Sequence, residues 1–199
     1  MQQLHIRYLS RARHGSRALV RGFTAIELMV TVAILAVLAA LAAPSFTSII
    51  ERWRVRDTVE SMTSTLYYAR SEAIKRGGGV VVRKLGNTTG GCQNAGTTEE
   101  WGCGWIVFVD LNGNGTYQQA TDTMLREMPL SGSVNVIKKP SGATFKIDRF
   151  GMADGNNTLS FVLSPTPDGV SSPHVTTLCI GAGGRIRALP GEPDCKTQP

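Results

Sequence analysis

The sequence predicts an α+β protein in which one long N-terminal helix, hydrophobic then amphipathic, packs on an antiparallel β-sheet head. Three observations predict it. An apolar run fills residues 23–43. Helical periodicity then continues to a glycine cluster at Gly77–Gly79. Beyond that cluster, short alternating runs recur about every 10 residues between groups of Gly, Asn, Pro and Asp.

The first element is the apolar run. From Phe23 to Ala43, 21 residues are apolar except Thr24, Glu27 and Thr31. As a helix they rise about 31 Å, which matches a bilayer core. Residues 1–22 hold Arg7, Arg11, Arg13, Arg17 and Arg21 and no acid. The positive-inside rule keeps them cytoplasmic and puts the head across the membrane. They also account for most of the formal charge of +6, because the remainder holds 16 basic and 15 acidic residues. Any anion binding must therefore come from a local cluster and not from the overall field.

Glu27 is the anomaly in this run. A charge at mid-helix costs roughly 2.5–3.5 kcal/mol on insertion scales, and less near the interface. A plain membrane anchor gives it no role. A cleavable signal peptide with its cut near Ala42 also fits poorly, because the apolar run exceeds the usual core of about 7–15 residues.

The second half of the helix, residues 44–76, alternates apolar positions (Val59, Met62, Leu66, Ala69, Ala73) with charged ones. Pro44 should weaken or kink the junction, and Gly77 should end the helix. The head, residues 77–199, offers eight strand candidates: 80–85, 105–110, 123–128, 134–138, 144–149, 159–163, 175–180 and 185–189.

Cys92, Cys103, Cys179 and Cys195 form an even set without zinc-like spacing. Behind a membrane-directed N-terminus, disulfides in an oxidising compartment are expected. Three pairings exist, and sequence proximity favours Cys92–Cys103 and Cys179–Cys195.

The run DLNGNGTYQQATD, 110–122, has Asp110, Asn112, Asn114 and Gly115 in the order of a calcium loop. Its twelfth position is Thr121, which cannot chelate bidentately, so a turn between strands is expected and no metal. No nucleophile–base pair and no phosphate-binding loop stands out, and His5, His14 and His174 show no partner in the sequence. The expectation is a non-enzyme without cofactor or small-molecule substrate.

The run RGFTAIELMVTVAILAVLAALAAPSF closely resembles the class III signal of type IV pilins and pseudopilins. The resemblance implies that a prepilin peptidase cuts between Gly22 and Phe23 and methylates the new amine. Glu27 matches the family's glutamate and Pro44 its helix-kinking proline. Glu27 would then meet the Phe23 amine of a neighbouring subunit, or its own, each charge offsetting the desolvation of the other. Glu27 becomes an assembly residue.

The tail CIGAGGRIRALPGEPDCKTQP places Arg185 and Arg187 two residues apart. In a strand they share a face about 6.7 Å apart, with Ile186 opposite. Two such guanidiniums can fork onto phosphate oxygens, or merely protect an edge strand from aggregation. GRIR at Gly184–Arg187 resembles a motif of the GspH/FimT branch of minor pilins. So does WGCGWIVFVD, at Trp101, Gly104, Trp105, Val107, Phe108 and Asp110. FimT-like members imply DNA binding by the tail arginines during natural transformation. Arg185 and Arg187 are therefore the candidates, Lys196 a weaker helper, and Lys138, Lys139, Lys146 and Arg149 extensions if the fold gathers them.

The expectation is thus a FimT-like minor pilin, anchored in the bacterial inner membrane with its head in the periplasm. It would assemble with other pilin subunits into or near a pilus tip and bind DNA without sequence preference. The alternative is a GspH-like minor pseudopilin of a type II secretion system, or a pilus-priming subunit, without DNA binding.

Overall fold

The computed structural model of the chain describes residues 22–153, 158–181 and 183–195, and no side chains for residues 42–45. The arginines of residues 1–21, Lys196 and the side chain of Pro44 lie outside the described residues. Helix α1 spans Ala25–Arg76. Two compact units divide the chain between Pro44 and Ser45.

In the first unit, the hydroxyl of Thr24 accepts the backbone N–H of Glu27 at 3.2 Å and caps the helix. Glu27 lies in the first turn, where a negative charge suits the helix dipole. The Thr-x-x-Glu spacing was thus a local signal for where the helix begins. Side chains from Phe23 to Leu41 are exposed, most of them large and apolar. Such a surface requires cover from outside the chain. No single helix among the described residues is long and apolar enough to cross a membrane, but Ala25–Leu41 and Phe46–Arg76 together pass that test.

In the second unit, α1 buries Val55, Val59, Met62, Leu66, Ala69 and Ala73 at spacings of three and four residues. Phe46, Ile49, Ile50 and Trp53, which follow the same period in sequence, remain exposed. Burial of helix residues in the core therefore begins at Val55. The helix stops in a Schellman arrangement. Gly77 takes φ 78°, and the N–H of Gly78 donates to the carbonyl of Ala73 at 2.8 Å.

All eight strand candidates form: β1 Val80–Lys84, β2 Gly104–Val109, β3 Thr123–Pro129, β4 Val134–Lys139, β5 Thr144–Ile147, β6 Leu159–Pro165, β7 Thr176–Ile180 and β8 Ile186–Pro190. They build two four-stranded antiparallel sheets, ordered β3-β2-β1-β5 and β4-β6-β7-β8, where one sheet was expected. Strand partners are chosen by tertiary packing, which periodicity along the chain does not encode.

The apolar faces of α1 and both sheets share one core. Trp101 stacks 5.8 Å from Phe145 and meets Phe161 edge-on at 5.5 Å. The Trp105 indole N–H donates to the hydroxyl of Thr65 at 3.0 Å and so ties β2 to the helix. Gly104, with φ 101°, passes so close to β3 that a Cβ would sit 2.0 Å from the carbonyl oxygen of Met128. The tryptophans and glycine of the WGCGW run therefore serve packing.

Candidate functional site

The tail arginines are positioned from three directions. β7 and β8 form a hairpin in which Cys179 pairs with Arg187 and Ile180 with Ile186. Ile186 packs against the core, so the alternation of the strand sends residues 185 and 187 to the outer face. Arg185 is exposed, whereas Arg187 is half-buried and already engaged.

The connecting turn is closed by two backbone bonds. Gly184 N–H donates to Gly181 at 2.8 Å, and Gly181 N–H donates to Arg185 at 2.9 Å. Gly184 has φ 75°, a conformation that suits glycine. The turn also rests on the helix, because the Arg70 guanidinium donates to the Gly184 carbonyl at 3.0 Å. A disulfide joins Cys179 to Cys195 and ties back the segment that follows β8. The Thr177 hydroxyl donates to the carbonyl of Glu192 at 2.5 Å and holds the same segment down.

Arg70 makes a second close approach. A Cβ at Gly151 would lie 2.7 Å from its Cγ, and one at Gly184 would lie 2.4 Å from its Nη1. The turn carrying Arg149 and the turn carrying Arg185 thus flank one side chain. Arg149 is exposed, with its guanidinium 5.1 Å from the Phe150 ring. Sequence reasoning named Arg149 only conditionally and missed Arg70, which reads as part of a solvated helix face.

The remaining candidates do not gather here. Lys138 is buried on β4, at the far edge of the sheet from β8, and donates to the carbonyl of Pro140 at 2.9 Å. Lys139 follows it on the same edge strand. Lys146 belongs to the other sheet, where its ammonium donates to the Gly113 carbonyl at 2.7 Å and lies 3.5 Å from the Asp110 carboxylate. The Asp110 oxygens also accept the N–H groups of Gly113 and Gly115, each at 2.8 Å. The run is a turn between strands, and no group of three or more His, Cys, Asp or Glu that could hold a metal ion occurs among the described residues.

The other disulfide, Cys92–Cys103, staples the loop before β2. Beside it, the Lys84 ammonium donates to the carbonyls of Ala95 and Thr97. Burial holds the Lys84 pKa below its usual value, partly offset by Glu100. His174, unpartnered in the sequence reading, meets the hydroxyl of Ser48 at 2.9 Å.

A family model described as "Type II transport protein GspH" matches residues 58–189. No curated protein matches the chain. Among solved structures it is similar to the type IV minor pilin FimU of Pseudomonas aeruginosa in two crystal forms. One is 17% identical with a TM-score of 0.54, over 70% of this chain and 91% of that one. The other is 18% identical with a TM-score of 0.52, over 68% and 93%. The minor pseudopilin EpsH from the type 2 secretion system of Vibrio cholerae is 14% identical over 68% and 96%, at a TM-score of 0.45. The likeness to FimU shows a shared fold, and the EpsH score is too low to argue from.

Proposed function

The chain belongs to the GspH family of type IV pilin-like minor subunits, and from that premise we propose that it is a fibre subunit that captures DNA. Its general role is that of a minor pilin or pseudopilin, a structural part of an assembly. The finer reading has three parts.

First, prepilin peptidase removes residues 1–22, and the methylated Phe23 amine meets Glu27 during assembly with other subunits. The residues from Phe23 to Ala43 lie in the inner membrane before assembly and in the fibre core after it. The exposed apolar side chains of this segment support that placement.

Second, the head faces the periplasm and then the fibre surface, where Arg185 and Arg187 contact DNA phosphates, with Arg149 beside them and Lys196 following. One observation carries this reading: the turn before Arg185 is fixed by Arg70 and by the adjoining Cys179–Cys195 disulfide. Pre-fixed cations lose little freedom on binding.

Third, binding is weak and indifferent to sequence, because phosphate contacts carry no base information. Several subunits along one fibre would add avidity and serve natural transformation.

The test is a gel shift of the full chain in detergent with double-stranded DNA, wild type against Arg185→Ala/Arg187→Ala. The wild type should retard DNA, with a log–log salt slope of about −2 to −3 for two or three phosphates. Equal retardation by both proteins in low salt would discard capture by these arginines.

The description of the matching family model, a type II transport protein, favours a second reading. In it the chain is a pseudopilin of a secretion system or a priming subunit, and the arginines contact neighbouring subunits. No retardation by the wild type supports this reading.

A further inference from the structure

Two four-stranded sheets have four edges, and three of them are managed. β4 is covered by the segment before β2: Trp101 N–H donates to Val136 at 2.7 Å, and Lys138 N–H donates to Glu99 at 2.8 Å. β5 is covered by the chain that follows it, through the Ile147–Ala153 bridge and the bond from Asp148 N–H to Met152 at 3.0 Å. β3 carries Arg126 and Glu127 along its length, and charge on an edge discourages pairing. β8, the fourth edge, carries Arg187 and ends at Pro190, but neither closes the stretch from Ile186 to Ala188.

The ladder shows which groups β8 leaves open. Antiparallel strands alternate bonded and non-bonded pairs. Gly181 N–H donates to Arg185, and Gly191 N–H donates to Val175 at 2.7 Å. With the observed register, Arg187 and Leu189 therefore bond to β7, whereas the N–H and C=O groups of Ile186 and Ala188 point away from it. Among the described residues, no backbone bond from another element reaches them. Their side chains carry no charge: Ile186 packs against the core and Ala188 is exposed beside the helix, whereas Arg187 projects from the other face.

Beside this edge runs an open groove of about 890 Å³ between β8 and α1. Its walls include Val55, Val59, Val175, Ala188 and Pro190. Arg52, Arg56 and His174 stand at it against one acid, Glu60, which Arg56 already pairs at 2.8 Å.

We propose that the β8 edge and this groove receive an extended segment from a neighbouring subunit's head. The segment adds a fifth strand to the sheet, places alternate apolar side chains in the groove, and sets a carboxylate beside Arg52 and Arg56. A docked helix would leave the open β8 groups unbonded, because its own backbone groups are spent internally. The five residues of β8 match a partner strand of about 17 Å. The identity of the donor rests on the subunit reading above, whereas the strand site does not.

The probe is the synthetic peptide acetyl-EVTVTVE-amide, added to the full chain in detergent micelles and followed by amide hydrogen exchange in NMR spectra. Ile186 and Ala188 amides should slow by about tenfold or more, while Arg187 and Leu189 amides, already bonded, stay as they were. Ala188→Pro removes an N–H that β7 does not use, so the fold should persist and peptide binding should be lost. A lysine-flanked version should bind about tenfold more weakly. Arg185→Ala/Arg187→Ala should bind the peptide like wild type, which separates this site from DNA capture. In assembled fibres, a photo-crosslinking residue in place of Ala188 should join the chain to another subunit. Peptide binding that survives Ala188→Pro, binding without slowing at Ile186 and Ala188, or crosslinks to lipid alone would each overturn the proposal.

Discussion

The Arg70 guanidinium holds the Gly184 carbonyl at 3.0 Å, so a helix residue fixes the turn that presents Arg185. Arg70→Ala should speed hydrogen exchange at Gly181 and Gly184 and weaken DNA retardation, with the helix intact by circular dichroism. Gly184→Ala should be worse, because φ is 75° and its Cβ would meet Arg70 Nη1 at 2.4 Å. A loss of about 1–3 kcal/mol in denaturant unfolding is expected.

The Cys179–Cys195 bond closes a loop with a sequence separation of 16. Cys179→Ser/Cys195→Ser should lower stability by roughly 3 kcal/mol. Dithiothreitol should lower the melting temperature of the wild type and weaken DNA retardation in parallel. Retardation unchanged by the reductant, despite complete thiol labelling, would show that the tie does not prepare the arginines.

Asp110 buries a carboxylate that serves two backbone N–H groups and faces the Lys146 ammonium. Asp110→Ala should cost about 2–4 kcal/mol, since the N–H groups lose a charged acceptor. Millimolar calcium should leave the melting temperature of the wild type unchanged, because both Asp110 oxygens already accept backbone N–H groups and the Lys146 ammonium lies 3.5 Å away.

Thr65 accepts the indole N–H of Trp105 where both side chains are fully buried. Thr65→Val keeps the shape and leaves that N–H without its acceptor. Chemical denaturation should report a loss of about 1–3 kcal/mol.

Glu27→Ala should leave expression and cleavage after Gly22 intact and abolish incorporation into fibres. Mass spectrometry of the mature N-terminus should find methylated Phe23. Normal incorporation of the variant would remove the amine–carboxylate pairing from the assembly step.

The strands were legible because each is a short apolar or alternating run bounded by glycine, proline or asparagine. Their division into two sheets was not, since β1 must find β5 far along the chain. The tail arginines were visible as a motif, but Arg70 was not, because its partner is a backbone carbonyl distant in sequence. Lys138 and Lys146 looked like spare cations. Only the fold reveals that backbone carbonyls engage both.

The distribution of tryptophans has an optical consequence. Trp101 and Trp105 are sealed in the core, whereas Trp53 is 64% exposed on the helix before the head begins. A dissolved quencher such as iodide should therefore extinguish one red-shifted emitter and spare two blue-shifted ones. Emission from the spared pair would report whether the helix remains seated on the sheets, without any label added to the chain.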